Sequence, residues 1–127
     1  MKKGYLPPIA VLAAILAFAV WNSRTMQADT DRWRAQLQQA DTLAQAGDWS
    51  GAAAVLSDSY EDWSARQTYL HIVSEHDAVD DAEAMYHRSA AFAAAQEPSE
   101  FRAELSDLRD QLRLLAEMEH CSIRNIL

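Results

Sequence analysis

Apolar and polar positions divide the chain near its start. From Gly4 to Ser23 no residue carries a charge, and Leu6 to Trp21 form an apolar heart of sixteen residues. As a helix that heart covers roughly 24 Å, a little less than the hydrocarbon core of a bilayer. Beyond it the pattern becomes helical alternation. Trp33, Leu37, Ala40 and Ala44, with Leu43 beside them, recur at helical spacing and form one stripe. This helix is expected to open near Asp29 or Thr30, both good caps. Nothing between Trp21 and Asp29 forbids a helix, so the apolar run and the striped segment can also form one rod.

Gly47 stands where a helix C-terminus favours glycine, and Asp48 then caps a second helix. Between Gly51 and Pro98 there is neither glycine nor proline, and alanine, leucine, glutamine and glutamate dominate. A single helix from Ser57 to Gln96 would be about 60 Å long, too long for so small a domain. Breaks are expected at Ser57-Asp58-Ser59 and at Ser74-Glu75-His76-Asp77, whose side chains compete for backbone groups and cap new helices. The last helix opens at Pro98 or Ser99. Phe101, Leu105, Leu108, Leu112 and Leu115 alternate in steps of four and three along it. Such a heptad seam packs inside a bundle or receives a partner helix. Ile123, Ile126 and Leu127 are expected against the bundle.

The fold expected is all-α: an N-terminal transmembrane helix followed by a small antiparallel bundle of about four helices. Residues 1–28 form the anchor and 29–127 the helical domain. Tyr5 and Trp21 mark the two interfaces, and Pro7 and Pro8 suit a first helical turn. Lys2 and Lys3 favour a cytoplasmic N-terminus, which places 29–127 outside the cytoplasm on a single-pass signal-anchor in the cell membrane. The rival is a cleaved secretory signal ending at Ala17-Phe18-Ala19, although only about eight apolar residues precede that site. Both readings put the domain outside the cytoplasm.

Composition narrows the partners. Residues 29–127 hold 8 Lys/Arg against 19 Asp/Glu, a net charge of −11. That surface repels phosphate backbones, so no nucleic-acid partner is expected. Cys121 is the one cysteine, which excludes an intramolecular disulfide and reads as a small apolar side chain.

Three of four histidines and five carboxylates fall between Tyr69 and His87. On a helix, His76, Asp80, Glu83 and His87 share one stripe about 60° wide. They are the candidates for a divalent cation. Yet Ala78, Ala82, Met85, Tyr86 and Ala93 lie roughly opposite, which makes the stripe a solvated face with ligands in a row rather than a shell. No metal site and no cofactor are therefore expected. Glu117 with His120 is the single Glu-x-x-His pair, where di-iron bundles need two. His71, beside Ile72, reads as a hydrogen-bonded core histidine. No glycine-rich phosphate loop, no Gly-x-Ser-x-Gly elbow and no apolar pocket around a carboxylate is legible, so no enzyme is expected.

Gly47-Asp48-Trp49 followed by Ala52 is similar to the turn of a tetratricopeptide repeat, where the aromatic and the alanine pack antiparallel helices together. One such turn implies an αα-hairpin and no peptide-binding array. The order of Gly47-Asp48-Trp49, Trp63, His76 with Val79-Asp80, and Asn125-Ile126-Leu127 resembles the small bacterial membrane proteins grouped as domain of unknown function 4363. Cys121 departs from the aliphatic residue usual there. The resemblance implies architecture and a membrane location, and no activity. The functional expectation is a non-enzymatic envelope module that docks a protein partner or a second copy through the 101–115 stripe. The alternative is a sensor or binder of a divalent cation or small ligand.

Overall fold

The computed structural model describes residues 6–68, 70 and 76–126, with 119–126 described by their helical backbone alone. Among the described residues there are four α-helices and no strand: α1 (Leu6–Gln45), α2 (Trp49–Ala65), α3 (His76–Ala94) and α4 (Pro98–Ile126). Expectations that fall on Lys2, Lys3, Tyr5, Tyr69, His71, Ile72, Ser74, Glu75 and Leu127, and on the side chains of His120, Cys121, Ile123, Asn125 and Ile126, lie outside the described residues.

α1 is one unbroken rod of 40 residues, about 60 Å long. The start expected near Asp29 or Thr30 does not occur. Both residues are buried mid-helix, where Asp29 is held by arginines rather than by helix-end amides. The first part of the rod is exposed: Leu6, Ile9, Val11, Leu12, Ile15, Leu16, Phe18, Val20 and Trp21 all face outward. Burial begins at Asn22 and Met26 and continues through Trp33, Leu37 and Ala40.

The rod ends as its sequence requires. Gly47 takes φ +83°, its N–H donates to the Ala44 carbonyl (3.0 Å), and the Asp48 N–H reaches back to Leu43 (2.9 Å). This left-handed closure satisfies carbonyls that a helix end leaves open. Asp48 then accepts the Gly51 N–H at 2.8 Å and starts α2. Trp49 packs edge-on against Phe101 of α4, ring centroids 5.4 Å apart, while Ala52 is fully buried.

α2 runs through Ser57-Asp58-Ser59 without the expected break. Ser59 is buried and its hydroxyl shares a 2.9 Å hydrogen bond with Tyr86 of α3, so its polar group is satisfied across the bundle and does not compete for the helix backbone. The chain leaves α2 at Arg66, and α3 begins at His76 with Asp77 in its first turn. α3 closes with Gln96 at φ +53°, and α4 opens at Pro98 as expected.

Each helix packs on its chain neighbours, and α4 returns to α1, giving an up-down-up-down four-helix ring. Arg32–Asp62 and Asp29–Arg66 set the α1/α2 register, Arg88–Glu104 that of α3/α4, and Asp41–Arg102 that of α1/α4. Trp33, Trp63, Tyr86 and Phe101 supply the bulk of the core and leucines fill between them.

Candidate functional site

The heptad stripe on α4 is spent inside the molecule. Phe101, Leu105, Leu108, Leu112 and Leu115 are all 0% exposed, covered by α1 and α3. None of the five is available to a partner, because the bundle's own helices occupy the seam. Any docking surface on the bundle is built from other residues.

The histidine and acid stripe on α3 is placed as expected, along the outside. His76 lies 3.4 Å from Asp80, and His87 lies 4.0 Å from Glu83, each an i,i+4 pair along the helix. Two pairs in a row do not form a coordination shell. Among the described residues no three His, Cys, Asp or Glu side chains are grouped to hold a metal.

One end of that stripe adjoins a feature the sequence did not announce. Ala53, Leu56, Ser57 and Tyr60 of α2 face Tyr86, His87 and Ala90 of α3 across a groove of about 150 Å³. The small side chains Ala53, Ser57 and Ala90 leave the space, and aromatic rings line its end. Tyr60 meets Tyr86 edge-on at 5.5 Å between centroids and His87 at 5.2 Å. Behind them the Trp63 ring lies 5.3 Å from Tyr86. The Tyr60 hydroxyl donates to Glu83 at 3.1 Å, and Gln67 donates to the other oxygen of that carboxylate at 3.3 Å. Burial raises the pKa of Tyr60, and the adjacent Glu83 carboxylate raises it further. Burial also raises that of Tyr86, against the smaller opposing effect of its Ser59 bond. Both phenols therefore keep their protons at neutral pH. They offer aromatic faces and hydrogen bonds but no base. The groove is smaller than the roughly 300 Å³ at which pockets for drug-sized ligands begin. It suits a side chain or a very small molecule.

A second constellation, also invisible in sequence, ties α1 to α2. Arg32 forks onto both oxygens of Asp62 (Nε–Oδ2 2.6 Å, Nη2–Oδ1 3.0 Å) and reaches Asp29 at 3.0 Å. Arg66 donates to the other Asp29 oxygen at 2.9 Å. The hydrogen bonds from Arg32 lower the pKa of Asp62, and they outweigh the opposing effect of its partial burial. Reciprocally, the Asp62 bonds raise the pKa of Arg32. The chain positions 30 and 37 apart that this network joins had no periodic signal to mark them.

The N-terminal half of α1 is the one described helix long and apolar enough to cross a membrane, judged by length and composition. A family model described as Domain of unknown function (DUF4363) matches residues 20–126. Its start lies one residue before Trp21, so the match covers the bundle and leaves out most of the exposed apolar run. No curated protein and no solved structure matches the chain.

Proposed function

The chain belongs to the DUF4363 family, and from its geometry we propose a non-enzymatic, single-pass membrane module that holds a four-helix bundle at a cell-envelope surface. The observation that carries this reading is the division of α1. One continuous helix is apolar and exposed from Leu6 to Trp21, then packed into the bundle from Asn22 onward. Apolar side chains exposed all round a helix need a lipid or protein environment. Lys2 and Lys3 favour an N-terminus in the cytoplasm and the bundle outside it. The acidic outer surface of the bundle suits a protein partner with a basic face, or a second copy bridged by cations.

Three measurements test this. Alkaline extraction should leave the full chain in the membrane pellet. A membrane-impermeant maleimide should label Cys121 after mild denaturation, and an unlabelled thiol would place the bundle inside. Crosslinking before extraction should then recover a reproducible membrane or envelope protein, or a dimer. Recovery of the uncrosslinked monomer alone would end the docking proposal.

A second reading is favoured by the α2–α3 groove, where Tyr60, Glu83 and His87 meet. Here the bundle would bind a divalent cation or a small ligand at that rim. Calorimetric titration of the full chain in detergent with zinc, nickel and calcium decides it. Heat that disappears in His87→Ala supports this reading, and no heat at millimolar metal removes its cation form.

A further inference from the structure

We propose that the α2–α3 groove is a docking slot for one helix of a partner protein, which inserts an apolar side chain flanked by lysine or arginine. The inference deepens the docking reading above and rests on it. The slot follows from how the ring closes. Leucines of α4 fill the seams on either side of that helix. α2 and α3 instead face each other with small residues, Ala53 and Ser57 opposite Ala90, and all three are exposed. The bonds that join the two helices lie to the side of this gap. Ser59 meets Tyr86 in the core behind it (2.9 Å), and Tyr60 donates to Glu83 at its end (3.1 Å). The space left, about 150 Å³, fits one large apolar side chain. Tyr60, Tyr86 and His87 give it an aromatic end wall. A furrow between two packed helices admits a ridge of a third, and small residues on its floor let that helix come close.

Charge selects the occupant. Residues 48–97, from the cap of α2 through the turn after α3, hold ten Asp and Glu against two arginines and no lysine. Both arginines turn to other helices, Arg66 to Asp29 of α1 (2.9 Å) and Arg88 to Glu104 of α4 (2.8 Å). Asp48 caps α2, and Asp62 is held by Arg32. By helical position Glu61 of α2 and Asp80 and Glu83 of α3 border the groove. Asp58, Glu75, Asp77, Asp81 and Glu97 make up the rest and carry the same sign. His76 and His87 lie beside Asp80 (3.4 Å) and Glu83 (4.0 Å), and the carboxylates outnumber them. A cation one turn to either side of the inserted anchor reaches these carboxylates. A second copy of this chain offers no such helix. The remainder of 29–127 holds nine Asp and Glu against six arginines, and lysine occurs only at positions 2 and 3. The occupant is therefore a different protein.

The test uses the full chain in detergent and a synthetic alanine–lysine helical peptide whose central residue is the photo-crosslinker benzoylphenylalanine. Irradiation and peptide mapping should place the crosslinks at Ala53, Ser57, Tyr60, His87 or Ala90. A competitor peptide with central phenylalanine should displace the probe at about a tenfold lower concentration than one with central alanine, because one ring is buried. A competitor with glutamate in place of lysine should not displace it. Ala90→Trp and Ala53→Trp fill the groove from opposite walls. Whichever keeps the native circular dichroism and melting temperature should lose the crosslinks, and the competitor series needs neither variant. Three results would each overturn the slot: crosslinks scattered over the bundle or confined to 6–21, equal competition by the alanine or glutamate peptides, or no crosslink at millimolar peptide. Docking itself is judged by the crosslinking in intact cells. A partner recovered there without groove crosslinks here would leave docking intact and end the slot, whereas monomer alone there would end both.

Discussion

Gln96 is the one non-glycine residue among those described that adopts a left-handed backbone. Its N–H bonds the Ala93 carbonyl (3.1 Å) and the Glu97 N–H bonds Phe92 (3.1 Å), the same closure that Gly47 makes at the end of α1. A side chain in that conformation costs about 1 kcal/mol relative to glycine. Gln96→Gly should therefore raise the unfolding free energy by up to about 1 kcal/mol, read from the denaturant midpoint at unchanged slope. Gly51 shows the opposite requirement. A Cβ there would press on the Asp48 carboxylate, with the Asp48 Cγ only 2.8 Å away, and drive the cap off the Gly51 N–H. Gly51→Ala should cost about 1 kcal/mol, the usual value of a lost N-cap, even though alanine is the better helix former. Asp62 links stability to pH. Its pKa is lowered in the folded state by Arg32, so it stabilises the bundle above the unfolded carboxylate value of about 4. That contribution is lost as pH falls through the lower folded value. The stability difference between the native chain and Asp62→Asn should be constant from neutral pH to about 5 and shrink toward zero in stronger acid, followed by urea unfolding across the range.

At the scale of the helix, the α4 stripe decides between an internal seam and a docking face. Leu108 lies midway along the stripe and is wholly buried. Leu108→Ala should cost about 2–5 kcal/mol, and the loss should appear in unfolding whether or not any partner is present. A charge at the same position would unfold the bundle, so loss of binding in such a variant would report on folding alone. α1 and α4 illustrate what periodicity can carry. The pattern named the internal face of each correctly, because an apolar stripe must be buried against something. It could not say whether that something was α1 and α3 or another molecule. Likewise Ser57-Asp58-Ser59 read as a break from local preference, since the Tyr86 hydroxyl that satisfies Ser59 lies 27 residues away.

For the whole molecule, the unbroken α1 leaves no linker between the apolar run and the bundle. A bundle on a flexible tether could turn freely, whereas this one is fixed at the angle of its own first helix. Spin labels at Phe18→Cys and Gln39→Cys, in a Cys121→Ser background, should give a narrow distance distribution centred near 30 Å in vesicles. A broad distribution extending to shorter distances would show a hinge at the bundle's base. Rigid coupling also means that a load on the bundle, or a partner bound to it, acts directly on the orientation of the apolar helix.

The chain by itself determined its class, the turn that closes α1 and opens α2, and the start of α4. An uninterrupted apolar run, glycine and aspartate at 47 and 48, proline at 98 and a seven-residue leucine spacing are local signals. Each follows from backbone geometry or from the need to bury one face. Only the tertiary structure decided which buried face met which, that α1 passes through Asp29 and Thr30 without a break, and that α2 and α3 leave a groove ended by Tyr60, Tyr86 and His87. Those outcomes depend on contacts between residues 16 to 71 positions apart. Such contacts are set by helix lengths and register around the ring, and neither leaves a period in the sequence.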